Sequence, residues 1–167
     1  MDDLVEKVIQ RLKDRHNRQA TVTFNASVQP PAEQIFVDHG TIVVENPSVV
    51  FITDLYSMNK HNAWVAWLLT GISYDVKFYF EINAEMVNFV PRLMILDWPI
   101  IFVVNGEQPL IASRNQTITR AEIAALPDHS ILVKYHHQNL DDEAQDICRY
   151  KNITIKVRTE ENCIWQK

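Results

Sequence analysis

From Asn62 onward, stretches with apolar residues at every third or fourth position alternate with stretches in which every second residue, or every residue, is apolar. The first period belongs to a helix with one buried face and the second to a strand. A chain that keeps switching between them builds a mainly parallel sheet, because successive parallel strands must be joined by a crossover, usually a helix. The expected fold class is therefore α/β, Rossmann-like or flavodoxin-like in three layers, over residues 35–167. Of the 167 residues 47% are hydrophobic, which is material enough for a core.

The elements follow from local pattern. Ile42, Val43 and Val44 after Gly40 read as a first strand. Residues 47–56 stay open: Val49-Val50-Phe51-Ile52 favours a buried strand, whereas Asn46-Pro47 looks like a cap and first-turn proline of a helix. Trp64, Trp67 and Leu68 share a helix face, with Gly71 placed to end that helix in left-handed geometry. Val76, Phe78 and Phe80 alternate with Asp75, Lys77 and Glu81 as in a half-covered strand. A helix is expected over 84–93. Pro99–Val104 then reads as a strand covered on both faces, followed by an Asn105-Gly106 hairpin into Leu110-Ile111.

Further on, Thr119 and Glu122 form a capping-box pattern, with Ile118 and Ile123 as its staple. Ile131–Val133 is a strand, and Asp141 caps a helix carrying Ala144, Ile147 and Cys148. Ile153, Ile155 and Val157 make a last alternating strand, and the tail from Glu160 to Lys167, with Cys163 and Trp165, shows no decisive pattern.

The amino-terminal stretch is of another kind. Leu4, Val5, Val8, Ile9 and Leu12 fall within an arc of about 140° on a helical wheel, with charges around the remainder. Asp2 and Asp3 at its start and Lys13 and Arg15 at its end follow the order that the helix dipole favours. After it the chain turns polar and meets Pro30 and Pro31. The expected organisation is an amphipathic interaction helix over 1–18, a linker over 19–34 and the α/β domain over 35–167. A short helix held apart from its body is marginal in water unless something covers its apolar face. The five stripe residues are thus the candidate partner-binding set, by helix-in-groove docking. Packing on the chain's own domain, or a coiled-coil contact in a homo-oligomer, is the alternative.

Several functions fit poorly. A net charge of −5 with acids and bases interspersed offers no basic stripe for nucleic acid. Only three glycines occur, far apart, so neither a dinucleotide fingerprint nor a phosphate loop can form. No serine stands in a hydrolase elbow. His136 and His137, with His129 and Asp141, Asp142 and Glu143 nearby, can be read as metal ligands. Adjacent strand residues point to opposite faces, however, which favours solvated loop residues. Cys148 lies on the apolar face of its helix and reads as a packed, inert thiol. Cys148 and Cys163 lack metal-ligand spacing and read as free thiols of a reducing compartment. Trp64 and Trp67 suit either a core or an interface. The opening MDDLVEKVIQ is acidic where a secretory signal is basic, and the apolar window VPRLMILDWPIIFVV is broken by Arg92, Asp97 and two prolines. A soluble cytoplasmic protein is expected.

The order of elements, the amphipathic start and four strings together resemble the PduM family of bacterial microcompartment proteins over nearly the whole chain. The strings are NAWVAWLLTGISYDVKFYFE, LDWPIIFVVNGEQPLIA, ITRAEIAALPDHSILVKY and EAQDICRYKNITIKVR. One departure is Asp141-Asp142, where a hydroxyl residue often opens the last helix in that family; aspartate caps equally well. The resemblance implies a structural protein, not an enzyme, of the microcompartment for coenzyme-B12-dependent propanediol breakdown. It implies shell or lumen proteins as partners of the amino-terminal helix, and no catalytic residues and no cofactor to carry over. A flavin or cobalamin site in a cleft at the sheet edge is the alternative from a different functional class.

Overall fold

The computed structural model describes residues 2–159, and Cys163, Trp165 and the rest of the 160–167 tail lie outside the described residues. The chain divides into two units, one ending at Glu81 and the other starting at Ile82.

The first unit runs α1 (Asp2–Asn17), β1 (Gln19–Thr23), α2 (Gln34–Asp38), β2 (Thr41–Glu45), α3 (Val49–Tyr56), α4 (Ala63–Ser73) and β3 (Lys77–Ile82), whose last residue crosses the boundary. Strands β1, β2 and β3 pair in parallel, with Thr21 level with Val43 and Val43 level with Tyr79. Ile42, Val44, Phe78 and Phe80 alternate along β2 and β3 and are fully buried. Phe36 of α2 and Trp67 of α4 pack on Phe78, and Phe51 of α3 stacks on Phe80 at 5.8 Å. All three helices thus cover the aromatic face of the strands. Of residues 47–56, Val49–Tyr56 form the helix α3, capped where the Ser48 hydroxyl accepts from the Phe51 amide at 3.1 Å. Asn46 instead bends the chain with φ 53°.

Two expectations for this unit change, and one open alternative is resolved. Gln19–Thr23, read as linker, is β1, so sheet structure begins one residue after α1. The linker reading failed because an edge strand with one buried residue, Val22, needs little apolar sequence. Gly71 lies inside α4 and ends nothing. A Cβ there would sit 2.5 Å from Cζ of Phe78 and 2.8 Å from Cε1 of Phe36, so glycine is what lets both rings approach the helix. The helix runs on to Ser73, and Asp75 takes the left-handed conformation, φ 59°. Trp64 and Trp67 are both buried, which resolves them as core.

The second unit opens with a 3-10 turn (Ala84–Phe89) and continues α5 (Arg92–Asp97), β4 (Ile100–Val104), β5 (Gln108–Ala112), β6 (Thr117–Ile118), α6 (Arg120–Ala124), β7 (Ile131–Tyr135), β8 (Asn139–Leu140), α7 (Asp142–Tyr150) and β9 (Thr154–Arg158). Its strand order is β4-β5-β7-β9. The β4–β5 pair is antiparallel, and β5–β7 and β7–β9 are parallel. β6 and β8 form a separate parallel pair. The Asn105-Gly106 hairpin is present: residues 105–107 lie between the paired Val104 and Gln108, and Asn105 and Gly106 take positive φ of 52° and 74°. Ile118, Ile123, Leu132, Ala144, Cys148 and Ile153 form a core between α6, α7 and β7. The Asp141 carboxylate caps α7 by accepting from the Ala144 amide at 2.6 Å.

Here too expectations shift. Residues 84–93 are not one helix, since Pro91 holds Val90 extended and splits the segment into the 3-10 turn and α5. β4 is not covered on both faces, because Ile101 is 43% exposed. The Thr119–Glu122 box does not form: Thr119 makes no side-chain cap, and Glu122 accepts from Asn115 Nδ2 at 3.0 Å. Ile155 and Val157 on β9 alternate as expected yet remain exposed. A buried polar hub takes the place of apolar packing beside β7. Gln138 Nε2 donates to the carbonyls of Ser113 (2.9 Å) and Asn115 (2.7 Å), while its Oε1 accepts from the Tyr135 amide. Arg92 donates to the same Ser113 carbonyl.

Gly71→Ala is expected to destabilise the chain by about 1–3 kcal/mol in urea unfolding, because the rings it would strike are fully buried and overpacking outweighs the better helix propensity of alanine.

Candidate functional site

Helix α1 forms because its apolar residues recur at helical spacing and its basic last turn, with Arg15 and His16, suits the carbonyl end of the dipole. Its stripe faces away from the chain's own core. Leu4, Val5, Val8, Ile9 and Leu12 are 70%, 56%, 50%, 46% and 57% exposed. Five large apolar side chains on one face of one helix is more than the scattered surface residues of an ordinary domain.

The carboxyl end of α1 is fixed to the unit. Arg15 Nε donates to the Phe36 carbonyl of α2 at 2.8 Å, and Arg15 Nη2 donates to the Tyr74 carbonyl that closes α4 at 2.5 Å. Both acceptors lie in helix-end turns whose carbonyls need outside donors, so a guanidinium is well matched to them. From the other side the Gly40 amide donates to the Arg15 carbonyl at 2.7 Å. A Cβ on residue 40 would lie 2.9 Å from that carbonyl oxygen and from the His16 Cα, so only glycine permits the approach. α1 is therefore an anchored helix with an open apolar face.

Beside it runs a groove of about 770 Å³. Val8 and Leu12 line one wall, Val37 and Tyr74 the other, and Arg11, Arg15 and Arg18 outnumber Asp14 and Asp38 around it. Val37 and Tyr74 are themselves half-exposed and widen the apolar patch beyond the stripe that the sequence marked. Covering roughly 400 Å² of such surface yields about 10 kcal/mol in gross transfer energy. Association itself costs about 4–15 kcal/mol, so a single docked helix binds weakly.

The remaining sequence candidates are placed as follows. His136 and His137 leave the strand direction just after β7, and their rings converge to 3.7 Å between centroids, with Tyr135 at 4.6 Å from His136. The expectation that they diverge is corrected, since a turn, not a strand, holds them. Among the described residues no group of three or more His, Cys, Asp or Glu side chains is arranged to hold a metal ion. Cys148 is buried against Ile118, Ile123 and Leu132, and burial pushes its thiol above its ordinary value near 9.0. At the carboxyl ends of β1 and β2, Phe24 stacks on Phe51 at 4.6 Å and meets Trp64 edge-on at 5.2 Å. Trp64 Nε1 there donates to the carbonyls of Asn25 and Val28. The chain's own aromatics thus pack over the carboxyl ends of β1 and β2. Among the described residues no helix is long and apolar enough to cross a membrane.

Taken together, these features define an α/β protein whose most developed surface is an anchored, uncovered apolar helix. The chain belongs to the PDU-like family, described as "Putative propanediol utilisation", whose model matches residues 3–154. No curated protein and no solved structure matches it.

Gly40→Ala is expected to loosen α1 selectively: hydrogen exchange at α1 amides should accelerate about ten-fold or more while amides of α4 keep their protection. In a Cys163→Ser background, Cys148 should resist iodoacetamide at pH 8 in the folded chain and react fully in denaturant.

Proposed function

We propose that this member of the propanediol-utilisation family is a non-catalytic structural component of the bacterial microcompartment that houses propanediol breakdown, and that it docks shell or lumen proteins through Leu4, Val5, Val8, Ile9 and Leu12. The reading is carried by one observation: the stripe is exposed on a helix whose far end is tied down by Arg15 and Gly40. An apolar face that its own fold does not cover is stabilised by a partner that does. Each contact is weak, and many copies of a partner on one shell convert weak single binding into firm retention. The family membership supplies the process, and the aromatic plug over β1 and β2 favours a contact surface over a ligand cleft in the first unit.

Replacing Leu4, Val8 and Leu12 together by Lys is expected to leave the circular-dichroism spectrum intact, because all three are exposed. The same change should lower co-sedimentation with purified microcompartments at least ten-fold. Retention equal to wild type would reject docking through this face. A bound flavin or corrinoid in the absorbance spectrum of the purified protein would reject the non-catalytic assignment.

A further inference from the structure

We propose that α1 also pairs with α1 of a second copy of this chain, antiparallel and stripe against stripe. The pairing uses the face assigned to docking but stands on a separate observation, the placement of charge along the helix.

The stripe runs from residue 4 to residue 12, so its midpoint falls at Val8. A two-fold axis near Val8 lays Leu4 of one copy on Leu12 of the other and buries all five positions on both sides, as an isologous contact requires. The charges choose the direction. Residues 2–7 carry Asp2, Asp3 and Glu6 against Lys7, whereas residues 11–18 carry Arg11, Lys13, Arg15 and Arg18 against Asp14. Antiparallel alignment sets the acidic end beside the basic end and opposes the two helix dipoles, while parallel alignment brings like ends together.

One pair is specific. At 100° per residue Glu6 and Lys13 lie within about 20° of each other on the same flank of the stripe. Both are exposed. In the antiparallel pair about Val8 the Glu6 of each copy lies level with Gln10 of the other and about 4.5 Å along the axis from its Lys13, on the same outer flank, twice by symmetry.

The area sets the strength. Two stripes with their flanks, Val37 and Tyr74 included, bring roughly 1,000 Å² out of water, which stands at the lower bound for a specific interface. The dimer is accordingly concentration-dependent, and it excludes a docked partner because both need Val8 and Leu12.

Sedimentation velocity of the full chain, over a series reaching high-micromolar concentration, tests this. Wild type should pass from monomer to dimer, and Val8→Asp should stay monomeric with an unchanged circular-dichroism spectrum. Leu4→Lys serves as a second monomerising variant should Val8→Asp lose its fold. Glu6→Lys should weaken the dimer about ten-fold, and the exchanged variant Glu6→Lys/Lys13→Glu should restore it to within about three-fold of wild type. A wild type that is monomeric throughout, a Val8→Asp chain that still dimerises, or an exchanged variant no tighter than Glu6→Lys would each overturn the pairing. A monomeric wild type that still sediments with microcompartments removes the dimer and keeps the docking. A dimer whose stripe variants still sediment with microcompartments does the reverse.

Discussion

The Arg15 guanidinium, set between the carbonyl of Phe36 and that of Tyr74, decides what the amino-terminal helix is. A helix of 16 residues with five apolar side chains in water has little reason to persist alone. Bound through its last turn to α2 and α4, and received by the Gly40 amide, it becomes part of the first unit while its stripe stays outside. The neutral carbonyl partners matter. They use the donors of the guanidinium without competing for its charge, and they are the orphan acceptors that helix ends leave behind.

The two units solve their packing differently. In the first, rings dominate: Phe36, Trp67 and Phe78 meet at the point where Gly71 removes a side chain, and Phe24, Phe51 and Trp64 close the carboxyl ends of β1 and β2. In the second, the aliphatic core under α6 and α7 is joined by a polar hub in which Gln138 holds the segments after β5 and β7 together. Such a hub fixes geometry because each buried donor left without its acceptor costs about 1–3 kcal/mol. Among the described residues neither arrangement brings three His, Cys, Asp or Glu side chains together as metal ligands.

Much of this was legible in the residues. The class follows from the alternating periods after Asn62, the hairpin from Asn105-Gly106, the α7 cap from Asp141 and the open stripe from the wheel of residues 4–12. What escaped depended on contacts distant in sequence. Gln19–Thr23 carries a single buried residue and is a strand because β2 supplies its ladder. Gly71 looks like a helix stop until the rings of Phe36 and Phe78 are in place. Thr119 and Glu122 have the right spacing for a reciprocal cap, yet Asn115, seven residues from Glu122, engages the carboxylate instead. The histidines after Tyr135 converge because the chain turns directly after β7, which itself runs two residues past the Val133 end that the pattern gave. For the stripe, sequence named the residues but not the anchor, since Arg15 bonds to backbone atoms that no motif marks.

The joint between α1 and β1 is a single residue, Arg18. For the docking proposed above, a joint without slack makes the helix a handle and not a tether. A protein that grips it is set at one angle to the β1–β2–β3 ladder, and so a lattice of such contacts would inherit a common polarity from every molecule it holds.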